Sequence, residues 1–326
     1  MASLASSTPI IDIHAHLKVP GDVFKGLLEI DARPSGERGV SDPGLAAALS
    51  NADARIADMD RLGIDISALT PAPPRGFYGL DGESGLAVAR LVNDYAAEFI
   101  TRSPNRLVSL GVLPLQDVDR SVLELNRAVT ELGLKGVRIN TNINRKELDD
   151  PIFEPFWARA EELGTLVFLH PQYFTEPARL GDFNMGNMVG QPLETTLALT
   201  HIILGGVLER HPRVKLIAAH GGGYFPFYTG RFDEAQHMRP DYMPAITRPP
   251  SSYLKTIYFD TIIYRPEAVS YLADLVGIGQ IVMGTDRPYD TSLKDPVGLI
   301  RSVTGLCEAD QGRILGGTAA ALLGLA

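Results

Sequence analysis

The feature that most constrains this chain is a repeated alternation of short apolar runs with segments of helical spacing. The runs are predicted strands at residues 9–16, 66–71, 107–114, 134–141, 165–171, 215–221, 256–262 and 280–286. Most of them are continuously apolar, which is typical of parallel strands covered on both faces. Eight such β/α units can close on themselves, so the sequence predicts an α/β fold, a (β/α)8 TIM barrel.

The segments between the strands place apolar residues at helical spacing. The predicted helices lie at residues 53–62, 84–100, 117–132, 151–163, 193–209, 224–237, 267–276 and 312–325. A doubly wound sheet is the alternative, but no G-x-G-x-x-G follows any predicted strand. Two inserts, residues 17–51 and 172–191, follow the first and fifth strands, at the barrel end where active sites form. We therefore expect one domain, residues 1–326, with two inserts.

Composition excludes several classes of function. The chain has 30 Lys+Arg against 39 Asp+Glu, a net charge of −9, which argues against a nucleic-acid partner. Its single cysteine, Cys307, permits neither an intrachain disulfide nor a multi-cysteine zinc or iron–sulfur site. No secretory signal or membrane-spanning stretch is evident, so we expect a cytoplasmic protein without a membrane partner.

The histidines of the predicted strands point to a metal. His14 and His16 are one residue apart on the first strand, so both side chains face the same side. His170, His220 and Asp286 end the fifth, sixth and eighth strands. Because the carboxyl ends of barrel strands share one rim, these side chains should meet there. Three imidazoles and a carboxylate, with room for water, predict a catalytic zinc-type site.

Other polar residues near this rim leave alternatives open. Lys135 lies at the start of the fourth strand, where it cannot bridge two metals, so we expect a mononuclear site. Arg138 and Asn140 lie closer to the mouth, where the arginine either contacts substrate or closes the rim with a salt bridge. The remaining histidines are expected to be structural: His201 in the core, His211 at a helix end and His237 at the surface.

Several motifs resemble the amidohydrolase superfamily and, within it, the amidohydrolase-2 branch. They are HAH at 14–16, LHP at 169–171, LIAAHGGGYFPFYTGRFD at 216–233 and GTDRP at 284–288. The nearest group in that branch comprises the α-amino-β-carboxymuconate-ε-semialdehyde decarboxylases and the metal-dependent aromatic-acid decarboxylases. The resemblance extends over most of the chain, and the branch also holds hydrolases and hydratases.

The resemblance implies a role for each matching residue. One divalent ion, Zn²⁺ with Mn²⁺ as the alternative, would be held without any organic cofactor. Its implied ligands are His14, His16, His170 and Asp286. His220 would be the catalytic acid/base, with Asp286 and Arg231 as the other catalytic residues. Arg231 matches an arginine that enters a neighbouring subunit's site to bind substrate carboxylate, which implies a homodimer or a higher homo-oligomer.

Two departures from the family pattern concern the substrate. The family has a second carboxylate-binding arginine in the first insert, but Arg33 and Arg38 do not fall at the expected distance from Arg55. It also has tryptophans in the loop after the fifth strand, whereas the only tryptophan here, Trp157, lies in the preceding helix. The substrate is therefore expected to differ from the family's semialdehyde.

The predicted function is non-oxidative decarboxylation of an unsaturated or aromatic carboxylic acid. The alternative is a metal-dependent hydrolase of an amide, ester or lactone, in which Asp286 takes the proton from the attacking water. The same ligands serve both reactions, so the metal site does not separate them. A serine hydrolase is disfavoured because no G-x-S-x-G occurs in the chain.

Overall fold

The strands form a ring of parallel neighbours. The computed structural model describes residues 8–24, 43–74, 76–172 and 177–325. Within these ranges the strands are β1 (Ile11–Leu17), β2 (Ile66–Pro71), β3 (Leu107–Ser109), β4 (Gly111–Val112), β5 (Gly136–Ile139), β6 (Leu166–Leu169), β7 (Lys215–Ala218), β8 (Ile257–Asp260) and β9 (Ile281–Val282). The predicted third strand is divided into β3 and β4, because it changes partner at Leu110. β3 pairs with β2, and β4 pairs with β5.

Backbone hydrogen bonds between β1 and the segment that follows β9 close the ring. Ile13 N–H donates to the carbonyl of Met283 at 2.9 Å, and His16 N–H donates to that of Arg287 at 2.7 Å. Since all the ladders between neighbouring described strands are parallel, the predicted (β/α)8 barrel is confirmed.

Most helices occupy the predicted places with shifted ends, but those at Pro43–Ala47 and Pro296–Arg301 were not predicted. In the described part of the chain they are α1 (Pro43–Ala47), α2 (Ala52–Leu62), α3 (Gly82–Ile100), α4 (Val118–Thr130), α5 (Glu154–Leu163), α6 (Gln191–Leu204), α7 (Val207–Arg210), α8 (Thr229–Met238), α9 (Pro266–Val276), α10 (Pro296–Arg301), α11 (Glu308–Gly312) and α12 (Thr318–Leu323). The predicted helix at 193–209 is divided, because Gly206 adopts a φ of 74°. Asp117 caps α4 by accepting from Arg120 N–H at 3.1 Å, and Gly164 ends α5 at a φ of 59°.

Two apolar layers explain the continuous apolar runs. One cluster packs strand side chains such as Ile13, Phe168 and Ile217 against the C-terminal helix α12. The other packs the opposite faces of the strands against the surrounding helices. Side chains therefore fill the barrel beneath the carboxyl ends of the strands, and the predicted ligands lie above this plug.

The two inserts are described in part. Residues 25–42 of the first insert, with Arg33 and Arg38, and residues 173–176 of the second lie outside the described residues. The rest of the second insert includes a 3-10 helix, Pro177–Leu180, and a π-helical turn, Gly186–Gly190, that leads into α6. No helix in the described ranges has both the length and the apolar character needed to cross a bilayer. One domain over residues 1–326 stays a prediction.

Candidate metal centre

The predicted ligands converge at the carboxyl ends of the strands. His14, His16, His170 and Asp286 are all buried, and one donor atom from each lies within 4.8 Å of all the others. His16 Nε2 is 2.8 Å from Asp286 Oδ1, and His14 Nε2 is 3.2 Å from His16 Nε2. The structure thus brings together side chains that are 272 residues apart in the chain (286 − 14).

A bulge in β1 turns both of its histidines inward. Ile11 and Ile13 belong to the interior plug, whereas Ala15 and Leu17 belong to the layer against the helices. The register with β2 shifts between Asp12 and Ala15, so the inward face passes from odd to even residue numbers. Strict alternation would have sent either the isoleucines or the histidines to the outer face. The bulge therefore allows an apolar plug and a polar ligand pair to share one strand.

Asp260, at the end of β8, contacts the ring nitrogen of His14 that is turned away from the cluster. Its Oδ2 lies 2.7 Å from His14 Nδ1, and a neutral imidazole that donates from Nδ1 would have its Nε2 lone pair facing the cluster. The same carboxylate accepts from the backbone N–H groups of His220 and Gly221, each at 3.0 Å. Sequence reasoning missed Asp260, although an acidic residue at the end of the seventh predicted strand was a signal for it.

Arg138 lies behind a second ligand. Its Nη2 is 3.0 Å from His170 Nδ1 and donates to Gln172 Oε1 at 3.3 Å, and the residue is 2% exposed. The sequence left two alternatives for Arg138, a substrate contact or a salt bridge at the rim. Neither alternative included its contact with the predicted ligand His170. Asn140 is also buried, and neither atom of its amide has a hydrogen-bond partner in the described part of the chain.

The protonation states of three residues of the cluster suit a divalent cation, and that of the fourth, His14, is set by Asp260. Burial lowers the pKa of His16 to about 3 and that of His170 well below its usual value. Burial also acts to lower the pKa of His14, but the hydrogen bond and charge of Asp260 outweigh it and raise that pKa. Burial opposes ionisation of Asp286, yet its histidine neighbours lower its pKa to about 2. Neutral imidazoles at His16 and His170 and an ionised carboxylate at Asp286 are the forms that bind metals, whereas a metal at His14 would have to displace the proton that the Asp260 carboxylate favours.

A buried nitrogen without a partner supports the same assignment. His170 Nε2 is inaccessible to solvent and accepts or donates no hydrogen bond among the described residues. A buried polar atom without a partner is costly, and coordination to a cation would satisfy it. The residues present therefore fit one divalent ion.

His220 stands beside the cluster and is not among its ligands. Its ring centroid is 5.3 Å from that of His14 and 5.4 Å from that of His170. Its buried Nδ1 has no hydrogen-bond partner in the described ranges, and burial lowers the pKa of the imidazole. The glycines that follow let the chain turn sharply here, since a Cβ on Gly223 would collide with the carbonyl oxygen of Pro192.

Two buried arginines support the rim of the site. Arg287, next to the predicted ligand Asp286, donates to Asp58 through Nε at 2.9 Å and Nη2 at 2.7 Å. Arg55 donates to the carbonyl of His16 and is 1% exposed. These contacts join α2 to the two segments that carry His16 and Asp286, so they restrict where both ligands lie.

The other predicted site residues lie apart from the cluster. Arg231 is exposed on α8 and is not brought to the ligands. The core assignment of His201 is wrong: its side chain is 42% exposed, because it turns out of α6 to bond Asp149 at 3.0 Å. His211 follows α7 and pairs with a glutamate, and His237 is exposed, as predicted.

Two adjoining cavities open at the cluster. The smaller, about 230 Å³, is lined by polar groups that include His16, His170 and Gln191. The larger, about 580 Å³, is lined mainly by apolar side chains. His220 and Asp286 line both cavities, so each cavity borders two of the predicted catalytic residues.

The chain is similar to known decarboxylases. The family model described as Amidohydrolase matches residues 11–325. A 2-amino-3-carboxymuconate-6-semialdehyde decarboxylase of Dictyostelium discoideum is 36% identical over 84% of this chain and 76% of the relative. A gamma-resorcylate decarboxylase of Rhizobium radiobacter is 27% identical over 80% of this chain and 84% of the relative. The crystal structure of 5-carboxyvanillate decarboxylase from Sphingomonas paucimobilis superimposes with a TM-score of 0.84 at 25% identity, covering 97% and 99% of the two chains.

Proposed function

Because the chain belongs to the amidohydrolase family, we propose that it is a metal-dependent decarboxylase of an aromatic or unsaturated carboxylic acid. The observation that carries the proposal is the buried cluster of His14, His16, His170 and Asp286, which opens on cavities shared with His220. The same ligands would also suit a hydrolase. The relatives' names favour the carboxy-lyase, since those compared above are decarboxylases.

The proposed cofactor is one divalent ion, Zn²⁺ with Mn²⁺ as the alternative. Three imidazole nitrogens and one carboxylate oxygen suit either metal, and the carboxylate admits the harder of the two. Bound there, the ion would supply positive charge that stabilises an anionic substrate and the charge that develops during reaction.

The chain's own residues would manage the proton. Decarboxylation replaces a carbon–carboxylate bond by a carbon–hydrogen bond. When CO2 leaves, the electron pair of the broken bond stays with the substrate, and the carbon that carried the carboxylate takes up a proton. His220 lines both cavities and has an unpartnered Nδ1, which supports its role as the acid/base that relays this proton. Because burial lowers its pKa, the imidazole would take up the proton during the reaction rather than hold it at rest. The Asp260 carboxylate accepts a hydrogen bond from the backbone N–H of His220. This contact restricts where the imidazole of His220 lies relative to the proposed ligands.

We also propose a homodimer, or a higher homo-oligomer, in which Arg231 of one copy binds the substrate carboxylate of another. Arg231 is exposed on α8, and the described residues that line the two cavities do not include it. Both facts support a role outside its own site. Sedimentation of the active enzyme tests this, because a fully active monomer would contradict it.

The proposed function is tested by metal analysis and an activity screen together. Wild type should hold about one ion per chain and release CO2 from aromatic or muconate-type acids. His14→Ala and Asp286→Asn should lose both properties. His237→Ala, an exposed histidine, is the matched control and should lose neither. Full activity after chelation, or turnover of amides, esters or lactones alone, would overturn the proposal.

A further inference from the structure

A residue other than glycine adopts a left-handed backbone conformation beyond each of the strands β7, β8 and β9. These residues are His220, Tyr264 and Asp286, with φ values of 55°, 62° and 62°. Such a conformation is strained for a bulky side chain and persists only where surrounding contacts hold it. His220 and Asp286 belong to the proposed site. Tyr264 has no part in the proposed reaction, so its strain requires another explanation.

The turn at Tyr264 does not itself require a tyrosine. The residue lies between β8, which ends at Asp260, and α9, which begins at Pro266, and its φ directs the chain towards that helix. A glycine adopts the same φ without strain, so the turn could be made at a lower cost. The contacts of the tyrosine side chain must therefore account for the strain.

The side chain of Tyr264 links two loops at the mouth of the barrel. Its hydroxyl donates to the backbone carbonyl of Thr291 at 2.8 Å, which joins the loop after β8 to the loop after β9. Tyr264 lines the larger cavity, and Thr291 lines both cavities. A phenylalanine would fill the same place on the cavity wall but could not donate. The hydroxyl is therefore the part of the side chain that makes this link.

The loop that accepts this hydrogen bond is fixed at its base. Leu293 N–H donates to the carbonyl of Thr285 at 2.9 Å, which brings the two ends of the loop together. Asp286 follows the first end, and its N–H donates to the carbonyl of His14 at 2.8 Å. The base is thus attached to β1, whereas the hydrogen bond from Tyr264 is made further along the loop, at its tip. The tip is defined here as residues 289–291.

The tip forms one wall of the polar cavity. Its three residues line that cavity together with His16 and His170. The ring centroid of Tyr289 is 4.6 Å from that of His16, so the tip lies against a predicted metal ligand. An outward movement of the tip would therefore open the polar cavity and admit more water to the cluster.

We propose that Tyr264 is a positioning residue that holds the tip over the proposed metal centre and limits the water that reaches it. It acts through the carbonyl of Thr291 rather than on the substrate. The inference rests on the proposed metal-dependent function, and it adds to that function a residue outside the set of ligands and acid/base groups.

Hydrogen exchange of the metal-free protein tests whether the link holds the tip. Tyr264→Phe removes the hydroxyl and keeps the ring. The amides of Ser292 and Leu293, which bond the carbonyls of Tyr289 and Thr285, should then exchange about threefold to tenfold faster, since one neutral hydrogen bond is lost. Tyr271→Phe is the matched control, because it removes the same atom from an exposed tyrosine whose ring stacks on Phe227. Unchanged exchange in Tyr264→Phe would overturn the inference.

Binding of Co²⁺ tests the consequence for the metal centre. The visible absorption of Co²⁺ weakens as the number of its ligands rises, so it reports water that enters the site. Tyr264→Phe should absorb more weakly than wild type at equal Co²⁺ occupancy, and Tyr271→Phe should match wild type. A wild-type spectrum in Tyr264→Phe would overturn the inference, because a link that only stabilises the fold would not change the surroundings of the ion. Wild type that binds no Co²⁺ would refute the proposed function, and the exchange experiment would still decide whether Tyr264 holds the tip.

Kinetics separate positioning from direct contact with a bound molecule. On an acid that wild type decarboxylates, Tyr264→Phe should lower kcat about threefold to tenfold with KM little changed, because the ring that lines the cavity is retained. Tyr264→Gly keeps the φ without strain and should change the Co²⁺ spectrum in the same direction. A raised KM with a wild-type Co²⁺ spectrum in both variants would assign Tyr264 to substrate binding and overturn its positioning role.

Discussion

The substitution Asp260→Asn tests how the site prepares His14 for a metal. Asp260 is fully buried and uses both carboxylate oxygens. Oδ2 accepts from His14 Nδ1 at 2.7 Å and from the N–H of His220 at 3.0 Å. Oδ1 accepts from the N–H groups of Gly221 at 3.0 Å and Ile262 at 3.1 Å. Asparagine has nearly the same shape but only one oxygen, so one pair of donors must face an amide NH2.

The less costly orientation places the amide oxygen at the Oδ1 position. The NH2 group then faces His14 Nδ1 and the N–H of His220, and the imidazole can adapt by accepting at Nδ1. Its proton moves to Nε2, the atom that faces Asp286 and must carry the lone pair for a metal. The opposite orientation would leave two backbone N–H groups without an acceptor, each costing about 1–3 kcal/mol.

We therefore expect Asp260→Asn to weaken metal binding about 10- to 100-fold, or roughly 1.4–2.7 kcal/mol. Competition against a chelator of known affinity, on folded protein at pH 7, measures this directly. Asp12→Asn is the matched control. Asp12 is also buried, but it accepts from the backbone of His14 and the hydroxyl of Thr285 and does not contact the imidazole. Unchanged affinity in folded Asp260→Asn, or an equal loss in Asp12→Asn, would refute the reasoning.

Three further predictions concern stability. Asp58→Asn should lower the free energy of unfolding in urea by about 3 kcal/mol, because it leaves the buried Arg287 guanidinium with an incomplete partner. Gly223→Ala should lower the melting temperature more than Gly230→Ala, since only the first added Cβ meets other atoms. A hydrogen bond from a tyrosine hydroxyl, with two from a threonine, lowers the pKa of Glu209. Its ionised form thus stabilises the fold above about pH 4.3, and this is lost as pH falls through the folded pKa. Glu209→Gln should therefore melt below wild type at pH 6, and the difference should shrink on acidification of the metal-free protein.

The barrel could be predicted from sequence because its strands are buried on both faces. A strand such as Leu166–Leu169 has no solvent side, so its apolar run is continuous and its identity is unambiguous. The position of His170 in the cluster could also be predicted, because a polar residue that directly follows such a run lies at the rim. The ends of the strands were harder to predict. The eighth was predicted to reach Asp286, yet β9 ends at Val282 and the chain continues beside β1 through separate backbone hydrogen bonds.

The supporting residues could not be predicted with the same rules. An aspartate at the end of a strand is common as a turn residue, so Asp260 is distinguished only by what lies across the barrel from it. Asp58 and Arg287 each look like ordinary charged residues, and their pairing joins positions 229 residues apart. The bulge in β1 could not be predicted either, because the pattern Ile-Asp-Ile-His-Ala-His is compatible with a regular strand whose side chains alternate between the two faces.

Because of where Asp260 lies, the proposed metal binding by His14 and the proposed proton transfer by His220 depend on the same carboxylate. One of its oxygens, Oδ2, accepts both from the imidazole of the ligand His14 and from the backbone that carries His220. His220 adopts a φ of 55°, which a residue other than glycine keeps only where surrounding contacts hold it. Any movement of this carboxylate would therefore displace the proposed metal ligand His14 and the proposed acid/base His220 together. Distances among the four ligands alone would not show this coupling, since Asp260 is not one of them.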